Sequence, residues 1–174
     1  MAKAKIKNTI VAIGEGLLGK LLFNSKIDIS EAYSEYMLYE PIVQIANRNW
    51  KIESEVSVES LKKKGRGDNP KIDFILTDPE NNNRCIALEV KYVKGVQSKI
   101  RVDSDVKKLL AFKNDMISKD TKAFLMIFWK EHANRDKHLN RIANIKHKVY
   151  HEWNIVTNLM QKYAVTVFEI CTKR

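Results

Sequence analysis

The chain has 174 residues, 44% of them hydrophobic, a size and composition that suit a single domain with its own buried core. Its 31 Lys and Arg against 21 Asp and Glu leave a formal charge of +10, which favours a polyanionic partner, nucleic acid first. No run reaches the ~18 apolar residues of a membrane span, and two distant cysteines, Cys85 and Cys171, form neither a disulfide framework nor a metal-ligand spacing, so both are expected as buried free thiols in a reducing cytosol.

The basic N-terminal segment MAKAKIKNTIVAIGEGLLGK is interrupted by Glu15 and shows no cleavage pattern, so a cytoplasmic chain is expected rather than a secreted one. Residues 8–23 predict an amphipathic helix with Ile10, Ile13, Leu17, Leu18 and Leu21 near one face, although Gly14, Gly16 and Gly19 count against it. Those glycines also spell G-x-G-x-x-G after a β-prone run, with Glu40 beyond, the pattern of a dinucleotide-binding turn. A second parallel strand should follow within about 30 residues, and a polar helix stands there instead. The next helix is capped by Asp28 or Ser30 and runs through Leu38, Ile42 and Ile45, with Pro41 marking a kink or a break.

WKIESEVSVES at 50–60 alternates imperfectly and predicts a half-exposed first strand. The basic loop KKKGRG follows, then two strand-like stretches, KIDF at 71–74 and ALEVKYV at 87–93, bounded by the turn material GRGDNP, DPENNN and KG. Alternation puts Glu89 and Lys91 on one face, and puts Asp73 with Ile75 opposite Ile72 and Phe74. A hairpin would bring Asp73 beside Glu89 and Lys91, and charged groups on an apolar hairpin cost free energy unless a metal or mutual pairing compensates. A helix is predicted near SDVKKLLAF at 104–112 with Ser104 as its N-cap, then a strand covered on both faces at KAFLMIFW, 122–129. Residues 133–163 read as helical, in one or two pieces, and VTVFEIC at 165–171 as a last strand. His132, His138, His147 and His151 fall in that helical region; His147 and His151 stand four apart, but lack a third zinc ligand. The expected architecture is α/β: one central mixed sheet flanked by helices.

An acidic residue on one strand, E-x-K on the next and a helix after it resembles the PD-(D/E)xK nuclease superfamily, the restriction-endonuclease-like fold. Here the series is Asp73, then Glu89-Val90-Lys91, then SDVKKLLAF, and it covers about residues 30–130; Ile72 stands where the family has proline. The resemblance implies a Mg2+-dependent endonuclease acting on DNA, with Mn2+ as a substitute. Asp73 and Glu89 would be metal ligands with the Val90 carbonyl, and Lys91 would assist the attacking water. An upstream helix glutamate would complete the site: Glu35 first, because it shares the stripe of Leu38, Ile42 and Ile45, with Glu31 and Glu40 as alternatives. Lys62, Lys63, Lys64, Arg66 and Lys94 would line the nucleic acid, joined by Lys99 and Arg101, and Lys107 or Lys108 would supply a further site residue. Cutting both strands implies a homodimer, with protein subunits of a defence or repair system as further partners. The rival reading is a non-catalytic nucleic-acid-binding protein of the same fold.

Overall fold

A computed structural model describes residues 2–26, 38–61, 69–93, 102–116, 120–129, 149–155 and 164–171. The elements in chain order are α1 (Ala2–Lys26), α2 (Tyr39–Ala46), β1 (Lys51–Ser57), a short 3-10 turn (Glu59–Leu61), β2 (Lys71–Asp78), β3 (Asn81–Val93), α3 (Val102–Asp115), β4 (Asp120–Trp129), β5 (Val149–Ile155) and β6 (Ala164–Ile170). The six strands form one sheet in the order β1-β2-β3-β4-β6-β5. Neighbours are antiparallel except β3 and β4, which run parallel, with α3 between them in sequence. The chain is thus α/β with a mixed sheet flanked by helices, and no helix among the described residues is long and apolar enough to cross a membrane.

The two faces of the sheet are separate cores. On one, Phe74, Leu88, Val90, Phe124 and Met126 pack against Ile10, Ile13, Leu17 and Ile42 of α1 and α2. On the other, Ile75, Ala87, Leu125 and Ile127 lie under Val106, Leu109 and Phe112 of α3. β4 is sealed on both sides, which is why its sequence shows no polar alternation. β1, at an edge, keeps most of its side chains exposed.

Helix α1 is longer than the predicted 8–23, and its buried stripe begins at Ile6. Gly14, Gly16 and Gly19 all lie inside it, so no strand precedes a phosphate-binding turn and the dinucleotide pattern is overruled. A Cβ at Gly16 would meet Ile45 of the α2 segment, whereas Gly19 faces open space. Pro41 falls in the first turn of α2, where its missing N–H has no partner to lose. Ser104 is not the cap of α3: the helix starts earlier, at Val102, which is buried, and Ser104 lies inside the first turn. Residues 149–155 are a strand rather than part of a helix, so His151 stands on β5 and the helical His147/His151 pair falls. The β-branched and aromatic content of VYHEWNI and its pairing with β6 prevail over the helical pattern around it. Cys85 is buried with Sγ 3.1 Å from Thr121 Oγ1, while Cys171, just past β6, is only half-buried.

At the far end of the β2–β3 hairpin, buried Asp78 accepts from Lys5 of α1 and from Arg84, each at 2.9 Å. Lys5 also lies 5.2 Å from the centre of the Trp50 ring, so one ammonium ties α1 to both β1's entry and the hairpin.

The glycines of α1 give a direct check on this packing. Gly19→Ala raises the unfolding free energy by about 0.5–1 kcal/mol, the ordinary helix-propensity gain. Gly16→Ala falls short of that gain because Ile45 must shift. Urea unfolding of the two variants beside wild type measures the difference.

Candidate active site

The β2–β3 ladder runs from the tight turn back to Phe74 opposite Leu88 and pairs no further. Beyond that point β3 stays with β4, through Glu89 to Val93, so β2 and β3 form an opening fork. Asp73 is the first residue of β2 past the last pair. Its carboxylate takes over a lost ladder bond: Val90 N–H donates to Asp73 Oδ2 at 2.7 Å. In a strand a residue's N–H and C=O leave by the same edge, so the Val90 carbonyl also projects toward the fork.

Tyr39, the first residue of α2, donates its hydroxyl to Asp73 Oδ1 at 2.9 Å and lies 3.3 Å from Glu55 Oε1. Glu55 sits on β1 in the position facing Asp73, between the pairs Ser54–Phe74 and Val56–Ile72, and its φ is +55°, in the left-handed region. Side-chain alternation breaks here on both strands. Ile52 and Phe74 join the α1/α2 core, whereas Val56 and Ile72 join the α3 core. Ile72 and Phe74 therefore do not share a face, contrary to simple alternation, and the break falls opposite the left-handed Glu55 backbone.

Glu89 and Lys91, two apart on β3, both reach α3. Lys108 Nζ lies 2.7 Å from the Glu89 carboxylate, 3.1 Å from Asp105 Oδ1 and 3.0 Å from the Lys71 carbonyl oxygen on β2. Lys91 Nζ lies 3.5 Å from Asp105 Oδ2. Lys108 therefore spans the fork, with three acceptors for its three donors. Glu89 is wholly buried, and both of its carboxylate oxygens lie 2.7 Å from Lys108 Nζ.

Burial, together with the negative charge of Asp73, pushes Glu89 up to about 9 against the pull of Lys108. Burial also raises Asp73, although the Val90 N–H, Tyr39, Lys108 and Lys91 all oppose the shift. Desolvation and the neighbouring carboxylates Asp73 and Glu55 raise Tyr39, so its hydroxyl stays a donor. Desolvation works against the charge on Lys108, but Glu89 and Asp105 outweigh it and hold its ammonium above the usual range.

Hard oxygen donors suit Mg2+. Asp73, Glu89 and the Val90 carbonyl offer such a set by the chemistry of their oxygen donors, and the Lys108 ammonium, 2.7 Å from the Glu89 carboxylate, is the positive charge that stands there in this structure. Among the described residues no group of three or more His, Cys, Asp and Glu is arranged to hold a metal, so the set stands at two carboxylates and one carbonyl.

Of the three glutamates weighed for the upstream position, Glu40 is exposed and bound to Lys20 at 2.6 Å, which depresses its pKa. It ties α1 to α2 and is not in the site. Glu31 and Glu35 lie outside the described residues, as do Lys62, Lys63, Lys64, Arg66, Lys94, Lys99 and Arg101, and His132, His138 and His147. Lys107 is exposed, whereas Lys108 is in the site. Sequence reasoning missed Tyr39, Glu55 and Asp105. Only Asp105 had a local signal, its i,i+3 spacing to Lys108 on one helix face.

Because both carboxylates are raised, the folded state prefers their protonated forms. The stability due to Glu89 is full below its ordinary value of 4.5 and is lost as pH rises through about 9. The melting temperature of the metal-free protein should therefore carry a declining component from about pH 5 to about pH 9. Glu89→Gln removes most of that component and leaves the part due to Asp73. Thermal melts of both proteins across this range check it, and parallel curves would refute it.

Set against known proteins, the chain matches no family model, no curated protein and no solved structure.

Proposed function

We propose that this chain is a divalent-metal-dependent nuclease that hydrolyses phosphodiester bonds in DNA, on a restriction-endonuclease-like version of the mixed sheet. The observation that carries the reading is the convergence of Asp73, Glu89 and Lys91 on the fork between β2 and β3. A strand pair that opens and fills its gap with carboxylates and ammonium groups has a stability cost with no evident packing benefit. That cost favours chemistry over a structural ornament.

In this reading Asp73, Glu89 and the Val90 carbonyl would hold the cation. Mg2+, once bound, polarises the scissile phosphate and lowers the pKa of a bound water. Lys91 is half-buried and faces Asp105, which keeps its charge directed at the site. Its ammonium orients the attacking water and offsets negative charge building on the phosphate. The water oxygen bonds to phosphorus and gives up a proton to solvent, the P–O bond to the leaving sugar oxygen breaks, and that oxygen takes a proton from solvent. The formal charge of +10 draws the polyanion from a distance. Two copies of the chain would be needed to cut both strands of a duplex.

One observation favours the second reading, a nucleic-acid-binding protein without catalysis. Lys108 and Lys91 already pair with Glu89 and Asp105, so those two charges can be satisfied without a metal. Cleavage separates the two. Wild type should nick supercoiled plasmid with Mg2+ or Mn2+ and not with EDTA, and Lys91→Ala should lower the rate by roughly a hundredfold or more. Salt-sensitive DNA binding with no cleavage of duplex, single-stranded or branched substrates would transfer the assignment to the binder.

A further inference from the structure

We propose that Tyr39 is a positioning residue of this site: its hydroxyl fixes the Asp73 carboxylate in the orientation that receives the divalent cation. The inference rests on the nuclease reading above. Each oxygen of Asp73 has a donor from a different element: Oδ1 from Tyr39 on α2, at 2.9 Å, and Oδ2 from the Val90 main chain on β3, at 2.7 Å. Two donors on opposite oxygens fix both the place and the rotation of a carboxylate. Each oxygen keeps a lone pair for a cation.

The phenol suits this role for three reasons. Its ring packs edge-on against Phe74, centroids 4.5 Å apart at 65°, so the hydroxyl is carried by a fixed lever. It is neutral, and so does not compete with a metal for the carboxylate as an ammonium would. It also lies 3.3 Å from Glu55 Oε1, between two carboxylates that would otherwise face each other across the β1–β2 pair. Packing alone does not require the oxygen. A phenylalanine would fill the same place beside Phe74, and a half-buried hydroxyl carries a desolvation cost that only its acceptors repay.

The test titrates Mn2+ alone into the full chain by calorimetry, for wild type, Tyr39→Phe and Tyr39→Leu, alongside metal-free thermal melts and plasmid cleavage. Tyr39→Phe keeps the ring, so its melting temperature should stay within a few degrees of wild type. Its Mn2+ affinity should fall about tenfold, the usual effect of removing a partner that orients a ligand. Half-maximal cleavage should need correspondingly more Mn2+, with KM for DNA unchanged. Tyr39→Leu, losing ring and hydroxyl together, should lower both the melting temperature and the affinity. Wild-type Mn2+ affinity in Tyr39→Phe overturns the positioning role while leaving the nuclease reading intact wherever wild type still cleaves. A wild type that neither binds Mn2+ nor cleaves overturns both.

Discussion

The parting of β2 from β3 beyond Phe74 and Leu88 is the constraint on which the rest of the site depends. A sheet that opens must find other partners for the backbone groups it exposes. Here two of them are met by side chains: the Val90 N–H by Asp73, and the Lys71 carbonyl by Lys108. The same two side chains carry charge into the fork. Sheet integrity and site chemistry therefore share their atoms, and neither can be altered without the other responding.

The charge balance inside the fork is uneven. Three carboxylates, Asp73, Glu89 and Asp105, face two ammonium groups, Lys91 and Lys108. One negative charge is left over in surroundings that solvate it poorly. Two things can neutralise it: a proton on Glu89, or an external cation. A proton and the proposed divalent ion would compete for the same deficit, and Lys108 moderates how deep that deficit is. This view also explains why a buried glutamate can coexist with a lysine 2.7 Å away and still be driven toward its neutral form.

Much of the sheet was legible because its signals are local. Asp73 and the E-x-K triplet lie in strands whose apolar residues and turn material mark them out, and the seamless apolar run of β4 announces burial on both faces. The tight Pro79–Glu80 turn lets the Asn-rich segment join β3, so that strand is longer than its apolar part. Illegible features were those fixed by distant partners. VYHEWNI becomes a strand because β6 lies alongside it. Glu40 carries the same charge as Glu55 and stands one residue from Tyr39, yet Lys20 holds it outside the site. Glu55 reaches Tyr39 and the neighbourhood of Asp73 only because β1 pairs with β2 in one particular register.

The left-handed backbone at Glu55 has a consequence for how the protein meets other copies of itself. β1 is an outer strand of the sheet, and a long regular outer strand is a template for another chain to add to. Here the strand is seven residues long, bears Lys51, Glu53 and Glu55 outward into solvent, and reverses its pleat in the middle. An incoming strand would lose registry at that reversal and meet charge on either side of it. Self-association through this edge is therefore disfavoured, and the irregularity beside Asp73 also protects the protein against aggregation.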